Sequence, residues 1–300
     1  MFDVARAAVE GALAAGASYA DARAMLISTE QLSATDGILE RVARSQSAGV
    51  GVRALVGSSW GFFAVPEPTD AQARHAGEQA AAIARASAMV PGPPLELSEI
   101  PVHQGHWDST WAEHPASVSL SEKGDLLVDV TNEMANVDGV SVADALIVSW
   151  DTEKWFVSSQ GHRISQHLVE CGTEMSATAV GERETQRRSF GGVGGQFGTR
   201  GYELVREADL PGNARRIAEE AVQLLTAPEC EPGTVDLILG SDQLALQIHE
   251  SVGHAIELDR ILGWEAAFAG TSFLDLAQLR TLRYGSELMN IVADATLPGA

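Results

Sequence analysis

Residues 19–65 read YADARAMLISTEQLSATDGILERVARSQSAGVGVRALVGSSWGFFAV, and the punctuation of this stretch decides the fold class. Asp36-Gly37 stands between two runs of mixed polarity, the pattern of a two-residue hairpin turn. Gly57-Ser58-Ser59 offers a second turn, between GVGVRALV and WGFFAV. Strands joined by such short turns pair antiparallel, because a parallel crossover needs a dozen or more residues. Helices flank the meander. MFDVARAAVEGALAAG at the start is amphipathic and carries Asp3 and Glu10, so it is read as a helix and not as a signal peptide. The Ala-rich run from Thr69 to about Met89 is helical by propensity, with Thr69 as its N-cap. VPGPPLELSEIP then stops the helix, and its prolines make residues 91–101 a linker.

The same order recurs downstream. A helix is expected over residues 121–136, then strand-like GVSVADALIVSW and EKWFVSSQGHRISQHLVECGTEMSATAVGE, then a helix after Pro211. Ala20-Asp21-Ala22 matches Ala143-Asp144-Ala145, and Thr29-Glu30 matches Thr152-Glu153, both at an offset of 123 positions. The turn glycines Gly37 and Gly161 fall one residue further apart. The expected fold is α+β: antiparallel sheets flanked by helices, in a duplicated α-β-meander-α unit whose sheets pack together. Residues 1–228 form this region, with repeats 1–90 and 115–228. Residues 229–300 begin a second domain, opening with a buried strand over 235–239, Gly240, and a helix capped by Ser241.

Composition narrows the function. Forty-one acidic residues against 20 Lys and Arg give a net charge of -21, which argues against nucleic acid as the main partner. No apolar run approaches the roughly 20 residues that span a bilayer, so no membrane partner is expected. Two distant cysteines, Cys171 and Cys230, make no disulfide framework, and a reducing cytoplasm is the expected compartment. Both are read as small, buried or partly buried residues.

Residues 246–259, LQIHESVGHAIELD, carry the chemistry: His249, Glu250 and His254 form H-E-x-x-x-H. Zinc peptidase helices usually space their histidines four apart, H-E-x-x-H. Five positions on a regular helix turn by about 500°, leaving the imidazoles about 140° apart. A π-bulge, which widens one turn to an i→i+5 bond, returns them toward one face, and Gly253 tolerates a distorted backbone there. With that device His249 and His254 become metal ligands and Glu250 the general base that takes a proton from water. The alternative is a helix whose His249 merely faces solvent.

These residues carry a family resemblance. HESVGHAIELD resembles the signature helix of the TldD/PmbA family, specifically of TldD-type subunits; PmbA-type (TldE) subunits lack it. SAGVGVRALVGSSWGFFAV, GGVGGQFGTRGYE and IVADATLPGA resemble further segments of the same family, in the same order along nearly the whole chain. The resemblance implies a Zn2+-dependent endopeptidase that degrades or matures unfolded or modified peptides, with His249 and His254 as ligands and Glu250 as base. It implies a PmbA/TldE-type partner subunit in a heterodimer; a homodimer is the other arrangement considered. The family's third ligand, a cysteine of the C-terminal domain, is expected beyond Ala300, and neither Cys171 nor Cys230 stands where it belongs. Glu257 is the nearby substitute by spacing. Without a third ligand, this chain alone is expected to bind zinc weakly and to hydrolyse no peptide.

Two other functions stay open: a non-catalytic, peptide-binding partner subunit, and a zinc dipeptidyl peptidase sharing only H-E-x-x-x-H. The glycines of RSFGGVGGQFGTRGYE are read as a flexible loop, or as one that lets an extended peptide approach the backbone, with Arg200 and Tyr202 as contacts. Trp107, Trp111, His103, His106 and His114 are read as loop residues packing onto the sheet.

Overall fold

The computed structural model describes residues 1–297 apart from Glu67, Pro91, Pro93 and Val193. The last three residues of IVADATLPGA and two prolines of the expected linker lie outside the described residues. The chain opens with α1 (Phe2–Ala14), β1 (Tyr19–Thr35), β2 (Ile38–Val56), β3 (Ser59–Pro66) and α2 (Asp70–Ser87). Asp36 and Gly37 both adopt positive φ, 49° and 77°, which is the type I′ geometry that a right-twisted hairpin favours. Thr69 caps α2 in a reciprocal box with Gln72.

A second run follows: β4 (Gln104–Asp108), α3 (Leu120–Ala135), β5 (Val140–Ser158), β6 (Arg163–Val180), β7 (Thr185–Phe190), β8 (Gln196–Gly198), α4 (Glu203–Ala208) and α5 (Leu210–Leu224). The expected α+β class is found. The expected pair of packed sheets is instead one eight-stranded sheet, ordered β3-β2-β1-β5-β6-β4, with β7 and β8 also on β6. All its pairings are antiparallel except β4 on β6, which is parallel. Trp107 and His106, expected in a loop, therefore lie on an edge strand.

The two runs meet edge to edge at β1 and β5, in register from Asp21↔Ser158 to Thr35↔Asp144. The central pair is Ser28↔Asp151, positions 123 apart, which is the offset of the sequence matches. Strand alternation puts the even residues of β1 on the helix-covered face. Ala20, Ala22 and Ala24 pack in one core with Ala8, Ala12, Ala76 and Ala80 of α1 and α2. Leu32 and Ala34 pack in the other with Leu127, Val130, Ile217 and Ala218 of α3 and α5. Alanines at these contacts, and glycines at the closest, let backbones approach. A Cβ on Gly77 of α2 would stand 2.0 Å from the Ala8 carbonyl oxygen of α1, and one on Gly61 of β3 2.0 Å from that of Ala80.

After residue 228 the expectation of a strand fails. Among the described residues, 229–297 contain no strand, and Val235, Leu237 and Ile238 are 78%, 75% and 96% exposed. An apolar run becomes a strand only when another strand takes its backbone hydrogen bonds, and none lies beside this one. Among the described residues, no helix is long and apolar enough to cross a membrane.

Candidate metal centre

The motif follows α6 (Ser241–Ile248), whose N-cap is Gly240, one residue earlier than expected. Residues His249–Gly253 then form a single π turn, in which the His254 amide donates to the His249 carbonyl. A 3₁₀ turn, His254–Ile256, follows, and Glu257 is extended before α7 (Leu258–Ile261). The widened turn is where the five-residue spacing requires it. It brings the two imidazoles edge to face, with ring centroids 4.4 Å apart and planes at 71°. Glu250 lies between them: its carboxylate oxygens are 3.9 Å from His249 Nε2 and 3.9 Å from His254 Nε2. One donor atom from each residue falls within 4.8 Å of the others.

Gly253 does not contribute as expected. Its φ and ψ, -53° and -58°, are ordinary right-handed helix, open to any residue. The distortion is supported from outside the turn instead. The Tyr284 hydroxyl donates to the Ser251 carbonyl, and the Ser272 hydroxyl donates to that of Ala255 at 2.7 Å.

Two imidazoles opening to solvent, with a carboxylate beside them, fit zinc, which takes histidine nitrogens and keeps a free position for water in catalytic sites. Glu257 does not supply a third ligand in this arrangement. Its carboxylate binds His254 Nδ1 at 3.0 Å, the ring nitrogen turned away from Glu250, and it is paired with Arg260. Cys171 is buried in the core under α3 and α5, where burial pushes its thiol up to about 12, so it stays protonated. Cys230 is exposed, against expectation, in a stretch with no packed cover.

A cavity of about 1030 Å³ leads up to His249. One wall is Ser189 and Phe190 of β7 with Gly191 and Gly192; the other is α6, with Asp242. Between β7 and β8, Gly191, Gly192, Gly194 and Gly195 all have positive φ. A Cβ on Gly192 would come within 3.2 Å of Asp242. Arg200 and Tyr202 are not in this wall. Arg200 is paired with Glu207 at 2.6 Å, and Tyr202 is 1% exposed at the start of α4.

Sequence reading missed a second cluster. His114 Nε2 and His167 Nε2 reach the two oxygens of Asp151, at 3.1 and 2.9 Å, and Trp111 stands edge-on to both rings. The residues come from the β4–α3 connection, β6 and β5, so no local spacing announces them. The donor types would suit a metal, but the tautomer of His114 does not. Its Nδ1 accepts the Ala116 amide at 3.1 Å and so carries the lone pair, which leaves the proton on Nε2. His114 is thus a hydrogen-bond donor to Asp151. His106 extends the network, bonded to Ser165 and Asp108, while the His103 amide donates to His162 Nδ1.

Comparison with known proteins bears on the chain as a whole. A family model described as PmbA/TldA metallopeptidase domain 1 matches residues 20–84, and one described as the central domain matches residues 113–227. A protein named metalloprotease from Methanothermobacter thermautotrophicus is 28% identical over 286 residues, covering 94% of this chain and 58% of its own length. Another from Methanocaldococcus jannaschii is 25% identical over 284 residues, covering 94% and 59%. The chain thus spans less than two thirds of these curated relatives. Two crystal structures share the fold. One is a candidate DNA gyrase modulator of Thermotoga maritima, with TM-score 0.56, 14% identity and coverage of 77% and 50%. The other is its counterpart from Bacteroides thetaiotaomicron, with TM-score 0.55, 12% identity and coverage of 74% and 48%. The two family models fall on the two helix-and-meander runs of the single sheet and together span more than half of the sequence, so the chain belongs to the PmbA/TldD metallopeptidase family.

Proposed function

We propose that this protein is the TldD-type, zinc-dependent endopeptidase subunit of its family, acting on unfolded or modified peptides. The observation that carries the reading is the π turn, which gathers His249, Glu250 and His254 within reach of one ion, with His249 lining a cavity. His249 and His254 would hold the ion, and the third ligand would come from outside the described residues. When bound, zinc supplies Lewis-acid polarisation of a carbonyl and acidifies water to a pKa of about 7. Glu250, held near both rings, accepts a proton from the attacking water on a carboxylate oxygen and passes it to the leaving amine nitrogen. The free edge of β7 along the cavity suits a peptide bound in extended form, through main-chain hydrogen bonds that do not depend on its sequence.

We further propose that a PmbA-type subunit, or a second copy, completes the assembly. Ile238, Phe268 and Leu288 are 96%, 93% and 91% exposed, apolar side chains that such a partner would cover. The division into repeats 1–90 and 115–228 followed by a second domain from residue 229 is likewise proposed; the β1–β5 register supports the first part of it.

The test of function is Glu250→Gln in the full-length protein. Zinc content should be unchanged, while hydrolysis of an unfolded peptide falls by about 10²–10⁴-fold. His249→Ala should lose both. Unchanged turnover in the glutamine variant removes Glu250 from the mechanism.

A further inference from the structure

His254 has two neighbours that compete for one ring nitrogen. Its Nδ1 lies 3.0 Å from Glu257 Oε1 and 3.2 Å from Arg260 Nη2. A carboxylate can only accept there and a guanidinium can only donate. If Nδ1 carries the proton it donates to Glu257, and the lone pair sits on Nε2. If Nδ1 carries the lone pair it accepts from Arg260, and Nε2 becomes an N–H. The two contacts therefore dictate opposite states at Nε2, the nitrogen that faces Glu250. Only one of these states can bind a cation.

Glu257 holds the stronger position. Its contact is the shorter, and it also engages Arg260 Nε, which draws the guanidinium charge onto its own carboxylate. The local backbone presents it to the ring. The 3₁₀ turn after His254 ends at Glu257, whose ψ of 119° leaves the helix, and the side chain makes no capping bond to α7. Its carboxylate is thus spent on His254 and Arg260 and not on helix structure.

Resting on the metallopeptidase reading, we propose that Glu257 is a positioning residue that selects the ligating tautomer of His254, and that Arg260 is the opposing donor it holds off. Outer carboxylates that fix ligand histidines are a general feature of metal sites. Here the carboxylate has an identified competitor, and that makes the effect reversible. Glu257→Ala frees Arg260 to donate to Nδ1, which places a proton on Nε2. Removing Arg260 as well takes away that donor and returns the ring to its own preference.

The test uses two measurements on the full-length protein. The first is ring ¹⁵N NMR of His254 without metal, well above the imidazole titration range. The proton should sit on Nδ1 in the unaltered protein, move to Nε2 in Glu257→Ala, and return at least partly to Nδ1 in Glu257→Ala/Arg260→Met. The second is zinc affinity by competition with a chelator. It should fall about 10–100-fold in the single variant and recover to within about three-fold in the double variant. The conservative Glu257→Gln, whose amide oxygen still accepts, should lose less than the alanine. An unmoved tautomer in Glu257→Ala overturns the proposal, as does a double variant no tighter than the single. Failure of the unaltered protein to bind zinc overturns the metallopeptidase reading instead, and the NMR comparison still decides the role of Glu257.

Discussion

The amide of His254 donates to the carbonyl of His249, five residues back, and this bond aims both imidazoles at one point. The widened turn does not depend on the glycine inside it. A Cβ at Gly253 would meet only the Ile248 carbonyl oxygen, at 3.8 Å, an ordinary contact. Gly253→Ala should therefore leave zinc affinity within about two-fold and raise stability by about 0.5–1 kcal/mol, the usual helix difference between the residues. Zinc titration and urea unfolding check it. A large loss of affinity would mean the turn needs a freedom that this geometry does not use.

The histidine cluster around Asp151 should stay free of metal. In His249→Ala/His254→Ala, bound zinc should fall to zero, because His114 offers Asp151 a proton and has no lone pair there. One retained equivalent, lost on further change of His167, would show instead that the Ala116–His114 bond yields to an ion.

Gly77→Ala should be among the costliest small changes. The added methyl would meet the Ala8 carbonyl at 2.0 Å and the Ala12 amide nitrogen at 2.6 Å, both main-chain atoms. Overpacking of this kind costs about 1–3 kcal/mol, and more where neither side can move. Gly57, by contrast, has nothing within 4 Å, so an alanine there is strained only by its φ of 62°. Comparing the two unfolding midpoints separates collision from conformation.

Acid sensitivity should depend on Arg206. Its guanidinium binds Glu113 at 2.5 and 2.8 Å and Glu122 at 2.8 Å, and the hydrogen bond to Glu113 holds that carboxyl below its usual range. A carboxyl lowered by folding stabilises fully above its unfolded pKa and loses that contribution as pH falls through the folded one. Arg206→Ala should therefore remove part of the stability difference between neutral and acid pH. Urea midpoints across that range, parallel in both proteins, would sink the expectation.

How much was legible follows from how local each signal is. The Asp36-Gly37 turn, the Thr69 cap and the Ala-rich α2 are written within a few neighbouring residues, and all three are found. The need for an i→i+5 turn was arithmetic on one helix. The failures are long-range. The parallel pairing of Gln104–Asp108 with β6 joins residues about 60 positions apart, and β4 is too polar to announce itself. His114, Asp151 and His167 meet only because β5 and β6 align and the β4–α3 connection folds over them. Residues 235–239 have the composition of a strand, yet composition does not provide a partner. The fixing of His254 by Glu257 was hidden for a subtler reason: spacing could place the carboxylate near the ring but not say which nitrogen it would reach.

The register between β1 and β5 bears on how the molecule can be divided. Fifteen residue pairs cross that line, and each run supplies an edge that the other covers. A cut within residues 94–101 would sever the chain without parting the halves, since the ladder crosses elsewhere. Made apart, each half would show an uncapped strand inviting a copy of itself or any other extended chain. Made together, the two halves have the means to find one another, because their register is already fixed by the apolar alternation on the helix-covered face. The linker is thus not all that joins the halves: a hydrogen-bonded hem of paired strands runs along their common edge.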